Sequence, residues 1–163
     1  MVRPARPEDR AAIAAIYTSG IEGRGATFET QPKTAGDVES WLADAERFPV
    51  VVADEGGEVL GWARVTHYAD TCAYQGVGEL QIYVAPEAQG RGVGAALIDG
   101  IAAAAEGAGY WKLIGKLFPE NEPSRALLRR RGFRDVGVHH RHGRLDGEWR
   151  DVLVVERLLG PAA

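Results

Sequence analysis

An α/β domain built on a mixed sheet is the fold class this sequence predicts, on three observations. Helix-like and strand-like stretches both occur without strict alternation, in the order helix, helix, three strands, helix, strand, helix, two strands, so antiparallel neighbours must join parallel ones. Two turn signals, Asp54-Glu55-Gly56-Gly57 and Leu145-Asp146-Gly147-Glu148, each separate β-type runs and mark hairpins. A glycine-rich turn, Gln89-Gly90-Arg91-Gly92-Val93-Gly94, joins the strand-like run Leu80–Val84 to an Ala-rich helical run from Ala95 to Ala108. The chain has 163 residues and shows no repeat, linker or low-complexity tract, so residues 1–163 are expected to form one domain.

Each element has a local reason. Pro7 suits the first position of a helix, with Glu8 and Asp9 complementing its dipole. Ile13, Ile16 and Tyr17 supply the apolar stripe, and Gly20 is the expected stop. Residues 22–33 read as loop. Thr34 and Asp37 form a capping box for a second helix, whose buried side is Val38, Trp41, Leu42 and Ala45 and which Pro49 closes. Val50–Ala53 and Val59–Val65 are the strands of the first hairpin. After the polar connection from His67 to Gly78 comes the strand Glu79–Val84. Leu80, Ile82 and Val84 face one way there, and Glu79, Gln81 and Tyr83 the other.

In the following helix Val93, Leu97, Ile101, Ala104 and Ala108 form one face, and Gly109 ends it. Lys112–Phe118 is a strand. A helix runs from about Pro123 to Arg131, with Gly132-Phe133 as a left-handed cap and its hydrophobic closure. Val136–Arg141 and Trp149–Leu158 make the second hairpin. Trp41, Trp62 and Trp111 read as core residues.

Composition bounds the function. With 45% apolar and 26% charged residues the chain is globular, and its net charge of −4 disfavours a surface built for nucleic acid. The single cysteine, Cys72, excludes an internal disulfide and a Cys-based zinc site and fits a reducing compartment. No apolar run is long enough to span a membrane, and the N-terminal residues lack the apolar core of a signal peptide, so a cytoplasmic location is expected. No metal site is expected. His139, His140 and His142 cluster on a basic hairpin without an acidic or Cys partner at ligand spacing, which reads as an exposed or interface strand.

The glycine turn is the one stretch that suggests a ligand by itself. Glycines ahead of a helix expose backbone N–H groups at the positive end of the helix dipole, where a phosphate can bind and Arg91 can add charge. A purely structural strand-to-helix turn accounts for it equally well. It lacks the Gly-Lys-Ser/Thr ending of a P-loop and the acidic residue of a dinucleotide fold.

With strand, turn and helix in register, the chain resembles the GNAT superfamily of acetyl-coenzyme A-dependent N-acetyltransferases along nearly its whole length. Gln89-Gly90-Arg91-Gly92-Val93-Gly94 matches the superfamily's pyrophosphate loop, Asn121 with Ser124 the start of the helix beside the pantetheine, and Arg130-Arg131-Gly132-Phe133 the Gly-Phe at its end. A narrower resemblance is to the phosphinothricin, methionine sulfoximine and arsinothricin acetyltransferases. It is carried by Ile16-Tyr17, Thr27-Phe28-Glu29, Ala73-Tyr74, Glu79 ahead of Val84 and Gly147-x-Trp149-x-Asp151-Val152, while the run Trp111-Lys112-Leu113 through Phe118-Pro119-Glu120-Asn121 and the run His142-Gly143-Arg144-Leu145-Asp146-Gly147 are most similar to the arsinothricin branch. The resemblance implies a mostly antiparallel twisted sheet flanked by about four helices. It also implies a homodimer, with the apolar strand Val152–Val155 as a possible pairing edge.

The implied activity is acetylation of the α-amino group of a small amino-acid analogue, which detoxifies it and confers resistance. Acetyl-coenzyme A would be gripped by Gln89 to Ala95, with its pantetheine along Ile82-Tyr83-Val84 and beside Asn121 and Ser124. A backbone N–H near Val84 would face the thioester oxygen. An α-amine with a pKa of about 8 needs a base at neutral pH, and the matching residue is Glu79. Phe28, Glu29, Tyr74 and Trp149 fall in segments that flank the acceptor in the resembling enzymes.

Two departures stand out. Leu128 occupies the position of a tyrosine that protonates the leaving thiol in many superfamily members. Ala69-Asp70-Thr71-Cys72 lacks the arginines that phosphinothricin enzymes carry there, leaving Arg64, Lys116, Arg141 and Arg150 as possible holders of an anionic head. Other amines (a polyamine, an aminoglycoside, a peptide N-terminus) and a non-catalytic acyl-coenzyme A sensor are the competing readings.

Overall fold

The computed structural model describes residues 1–163 and contains one seven-stranded sheet in the order β1-β2-β3-β4-β5-β7-β6. The strands are β1 Val2–Pro4, β2 Val50–Glu55, β3 Glu58–His67, β4 Val77–Val84, β5 Lys112–Leu117, β6 Arg134–Leu145 and β7 Glu148–Leu158. The helices are α1 Arg10–Glu22, α2 Ala35–Leu42, α3 Val93–Gly107 and α4 Glu122–Arg130. Every neighbouring pair of strands is antiparallel except β4 and β5.

Both sheet faces are covered, each by its own apolar cluster. Leu97, Ile98, Ile101, Ala102 and Ala105 of α3 and Leu128 of α4 pack on Val65, Leu80, Leu113 and Val155. On the other face Ile13, Tyr17 and Ile21 of α1 and Val38 of α2 pack on Val52, Leu60 and Trp62. Strand alternation sends Leu80 and Ile82 to the α3 side and Tyr83 to the α1 side. Trp62 is fully buried, whereas Trp41 and Trp111 are only partly so.

The fold departs from sequence expectation at several points. A first strand, β1, precedes α1 and was invisible to periodicity because it has three residues. Pro7–Asp9 is a 3-10 turn, and α1 begins at Arg10. The Thr34–Asp37 capping box is present, but α2 ends at Leu42, well before Pro49. Helix α3 starts at Val93, and its buried stripe includes Ile98, Ala102 and Ala105, while Ala108 is exposed. Strand β7 lies inside the sheet between β5 and β6 with Val152, Leu153 and Val155 buried, so it offers no edge for pairing with another copy.

Gly20 corrects a second expectation. It lies inside α1, and a Cβ there would stand 2.6 Å from Cδ1 of Tyr83. Tyr83 is itself stacked against Tyr17 at 4.7 Å and Trp62 at 5.2 Å, so its ring has nowhere to swing. Gly20 is therefore a close-approach residue and not a helix stop. Ala normally stabilises a helix interior by about 1 kcal/mol over Gly. Here overpacking should outweigh that, so Gly20→Ala is expected to destabilise by about 1–3 kcal/mol. A thermal-unfolding midpoint at or above that of the parent would contradict the packing argument.

Candidate active site

Strands β4 and β5 are paired only through Val77–Glu79 and Lys112–Ile114. Beyond that point β4 stays on β3 as far as Val84, and β5 stays on β7 as far as Leu117. Each strand follows the twist of its antiparallel partner, and the two ladders part. A cleft of about 500 Å3 fills the gap, lined by residues of β4, β5, α4 and the loop after α1. Glu79, Gln81, Ile82, Lys116, Phe118 and Leu128 all line it.

Backbone direction sets what the cleft offers. Ala85 N–H donates to Leu60 C=O at 2.8 Å, which turns the amides of odd-numbered β4 residues toward β3. The amides of Ile82 and Val84 point the opposite way, toward the gap that β5 has left. An extended chain entering there finds an unpaired strand edge to bind.

Glu79 stands at the point where the strands separate. Its Oε1 is 2.7 Å from Nζ of Lys116 on β5, and its side chain is 23% exposed. On the same face Tyr17 and Tyr83 stack, and burial pushes both phenols above their ordinary values, keeping them protonated. Arg64 Nε donates to Gln81 Oε1 at 2.7 Å.

The loop after α1 forms one wall, held from both ends. Arg24 pairs with Asp146 of the β6–β7 turn at 3.1 Å, and Asn121 Nδ2 donates to Gly25 C=O at 3.4 Å. Phe28 meets Phe118 edge-on at 5.0 Å, and a Cβ on Gly143 would lie 2.9 Å from the Phe28 ring. Gly143 is thus small because Phe28 sits against the hairpin.

The glycine turn lies at the other end of the groove. Gly90 and Gly92 have φ of +76° and +83°, a conformation that glycine adopts without strain. Gly92 is the N-cap of α3, and the first helical bond is Ala96 N–H to Gly92 C=O at 3.1 Å. The backbone N–H groups from Gly90 to Ala95 have no backbone acceptor. Gly94 allows α3 to approach α4, since a Cβ there would lie 2.7 Å from Leu127. A second hollow of about 470 Å3, lined by Val84, Pro86, Gln89 and Asn121 among others, runs between this turn and the cleft, and the two share Ala26, Phe118 and Asn121.

Most residues singled out from sequence converge here. Phe28, Glu29, Glu79, Ile82, Tyr83, Asn121 and Ser124 line the cleft; Val84 and Gln89 line the adjoining hollow. Asn121 also caps α4, its Oδ1 accepting from Ser124 N–H at 3.4 Å. Val93, Gly94 and Ala95 form the first turn of α3.

Three residues stand elsewhere. Tyr74 is on the 3-10 turn Cys72–Tyr74 and lines a separate hollow with His67 and Tyr68. Trp149 is 53% exposed under the Arg144 guanidinium, because on β7 it is Arg150 and Val152 that alternate toward the groove. Arg91 reaches Glu55 of the β2–β3 hairpin at 2.8 Å. Sequence reading passed over Gln81 and the pairing of Lys116 with Glu79. It also set His142 aside with an exposed histidine cluster, yet His142 lines the cleft. Alternation along Lys112, Ile114 and Lys116 was the available signal for Lys116. No group of His, Cys, Asp and Glu is arranged to hold a metal ion.

A sheet whose central parallel pair splays open, with free strand amides on one side and a glycine turn ahead of a helix at the far end, defines an acyltransferase cleft. Residues 10–133 match the acetyltransferase (GNAT) family, and this chain belongs to that family. It is 34% identical to a phosphinothricin N-acetyltransferase of Alcaligenes faecalis, across 97% of this chain and 82% of that protein. A phosphinothricin acetyltransferase from Sinorhizobium meliloti, solved in complex with acetyl-coenzyme A, superposes with a TM-score of 0.90 at 30% identity, covering 98% and 88% of the two chains. A ribosomal-protein-alanine N-acetyltransferase from Brucella melitensis superposes with a TM-score of 0.92 at 30% identity, covering 98% and 99%. The expected family, fold and N-acetyltransferase class are borne out. Acetyltransferases of this family use acetyl-coenzyme A, and the unpaired amides of the turn and of β4 fit a ligand with a diphosphate at one end and an extended amide chain at the other.

Proposed function

We propose that this chain acetylates the α-amino group of a small amino-acid analogue of the phosphinothricin or arsinothricin type, with acetyl-coenzyme A as donor. One observation carries the reading: a carboxylate, Glu79, at the fork of β4 and β5, where the open β4 amides begin. The relatives named phosphinothricin acetyltransferases support this acceptor class. Detoxification of such a compound is the role that follows.

When bound, acetyl-coenzyme A supplies the activated acetyl group as a thioester. The Gly90–Ala95 amides bind its diphosphate at the positive end of α3. The Ile82 and Val84 amides align the chain that follows. Val84 N–H donates to the carbonyl oxygen as charge grows there, a contact worth about 3–4 kcal/mol at such sites. Glu79 accepts a proton from the ammonium, directly or through a water, and leaves the nitrogen lone pair free to attack. Lys116 holds the Glu79 carboxylate in position. Leu128 has no proton to give, so the sulfur leaves as thiolate and takes up, through solvent, the second proton that the nitrogen sheds as the amide forms.

The test is an acceptor panel at fixed acetyl-coenzyme A, comprising phosphinothricin, arsinothricin, methionine sulfoximine, glutamate, spermidine and a peptide with N-terminal alanine. The highest kcat/KM is expected on the first three. A clear preference for the polyamine or the peptide would overturn the acceptor class while leaving the acetyltransferase intact.

A further inference from the structure

We infer that Arg64 is the specificity-determining anchor for the carboxylate of the acceptor amino acid. The inference rests on the α-amino-acid acceptor proposed above.

The register of the sheet carries the argument. Arg64 opposes Gln81 and Thr66 opposes Glu79, so all four side chains lie on one face. Arg64 and Glu79 are therefore diagonal neighbours on adjacent strands, a spacing of about 7–8 Å between their positions. An α-amino acid carries its ammonium and carboxylate on adjoining atoms. One such molecule can meet Glu79 with the first and Arg64 with the second.

The state of the guanidinium points the same way. Its face lies on the Trp41 ring, 3.5 Å from the centroid, and Nε is fixed by Gln81, a residue of the cleft wall. These two contacts hold the plane and leave the terminal nitrogens without a protein acceptor. The cations around the cleft are already matched: Lys116 by Glu79, Lys33 by Glu29, Arg24 by Asp146 and Arg150 by Glu120. Arg141 is exposed on the β6 edge. Arg64 is half-buried without a carboxylate, and burial lowers it to about 10, so it stays charged at neutral pH. An unpaired, partly desolvated cation is costly to keep. A planar fork held in this way is suited to bidentate binding of a carboxylate.

The experiment compares phosphinothricin with its α-carboxamide on the parent, Arg64→Gln and Arg64→Lys, reading KM and kcat separately with thermal unfolding as a folding control. Arg64→Gln is expected to raise KM for the acid by roughly 10- to 100-fold, the size of a lost hydrogen bond to a charged group, with a penalty at least several-fold smaller for the carboxamide. Arg64→Lys keeps the charge without the fork and should fall between the two. If the Gln variant does not fold, the acid-to-carboxamide ratio of the Lys variant answers the same question. An unchanged ratio in the folded variant overturns this inference alone. A parent enzyme that turns over amines but no α-amino acid overturns the acceptor class and this inference together.

Discussion

Glu79→Gln is expected to lower kcat/KM for the acceptor amine by about 10²- to 10⁴-fold at neutral pH, the usual contribution of a positioned general base. The substitution keeps side-chain size and an oxygen that Lys116 can still reach, so affinity for acetyl-coenzyme A should change little. The remaining activity should climb as pH rises toward the α-amine's own pKa, which lies above neutrality, because free amine then forms without help from the enzyme. Steady-state kinetics between pH 6 and 9, with calorimetric binding of acetyl-coenzyme A, would check both halves. A variant within tenfold of the parent at neutral pH would remove Glu79 from the proton path. A non-catalytic acyl-coenzyme A sensor would instead show binding in both proteins and turnover in neither.

Local signals in the sequence were reliable where one short stretch determines its own geometry. The Asp146-Gly147 turn shows φ of +50° and +82°, and Gly90 and Gly92 show the positive φ that their place before a helix suggested. The Thr34–Asp37 capping box formed as read. Signals that depend on a distant partner were not legible. Gly20 looks like a helix stop until Tyr83, far along the chain, is placed against it. The splay of β4 from β5 follows from β7 inserting beside β5, an ordering that no local pattern encodes. The Glu79–Lys116 pair and the Arg64–Gln81 contact are cross-strand events of the same kind. Arg91 sits in the turn that suggested an anion, yet its partner in the structure is Glu55. The three-residue β1 is defined by its antiparallel pairing with distant β2, and the Arg3 side chain adds to its anchorage.

That anchorage sets the largest expected effect on stability. Arg3 donates from Nη1 and Nη2 to the two oxygens of Asp9 at 2.8 and 3.0 Å, and from Nε to Asp54 on β2 at 2.9 Å. Asp9 also accepts from Arg6 N–H at 2.7 Å, closing the turn that feeds α1, and the residue is only 6% exposed. Removing one member of a buried pair strands the other's charge, which typically costs 3–5 kcal/mol. Arg3 keeps Asp54 as a partner and 16% side-chain exposure, so its charge is only partly stranded, the low end applies, and Asp9→Ala should cost no more than about 3 kcal/mol. In a chain of this size that lowers the thermal midpoint by about 6–12 °C. The pH dependence has a definite sign. Hydrogen bonding to Arg3 holds the Asp9 carboxyl below its ordinary value, against the opposing effect of burial. Its contribution is therefore complete above the unfolded value of about 3.9 and is lost as pH falls through the lower folded one. Urea midpoints measured from pH 7 down to pH 2.5 should fall toward acid more steeply for the parent than for Asp9→Asn, so the two curves converge. Parallel curves, or a cost below about 1 kcal/mol, would mean that solvent screens the pair as it does at an exposed surface, and that β1 is held by its backbone ladder alone.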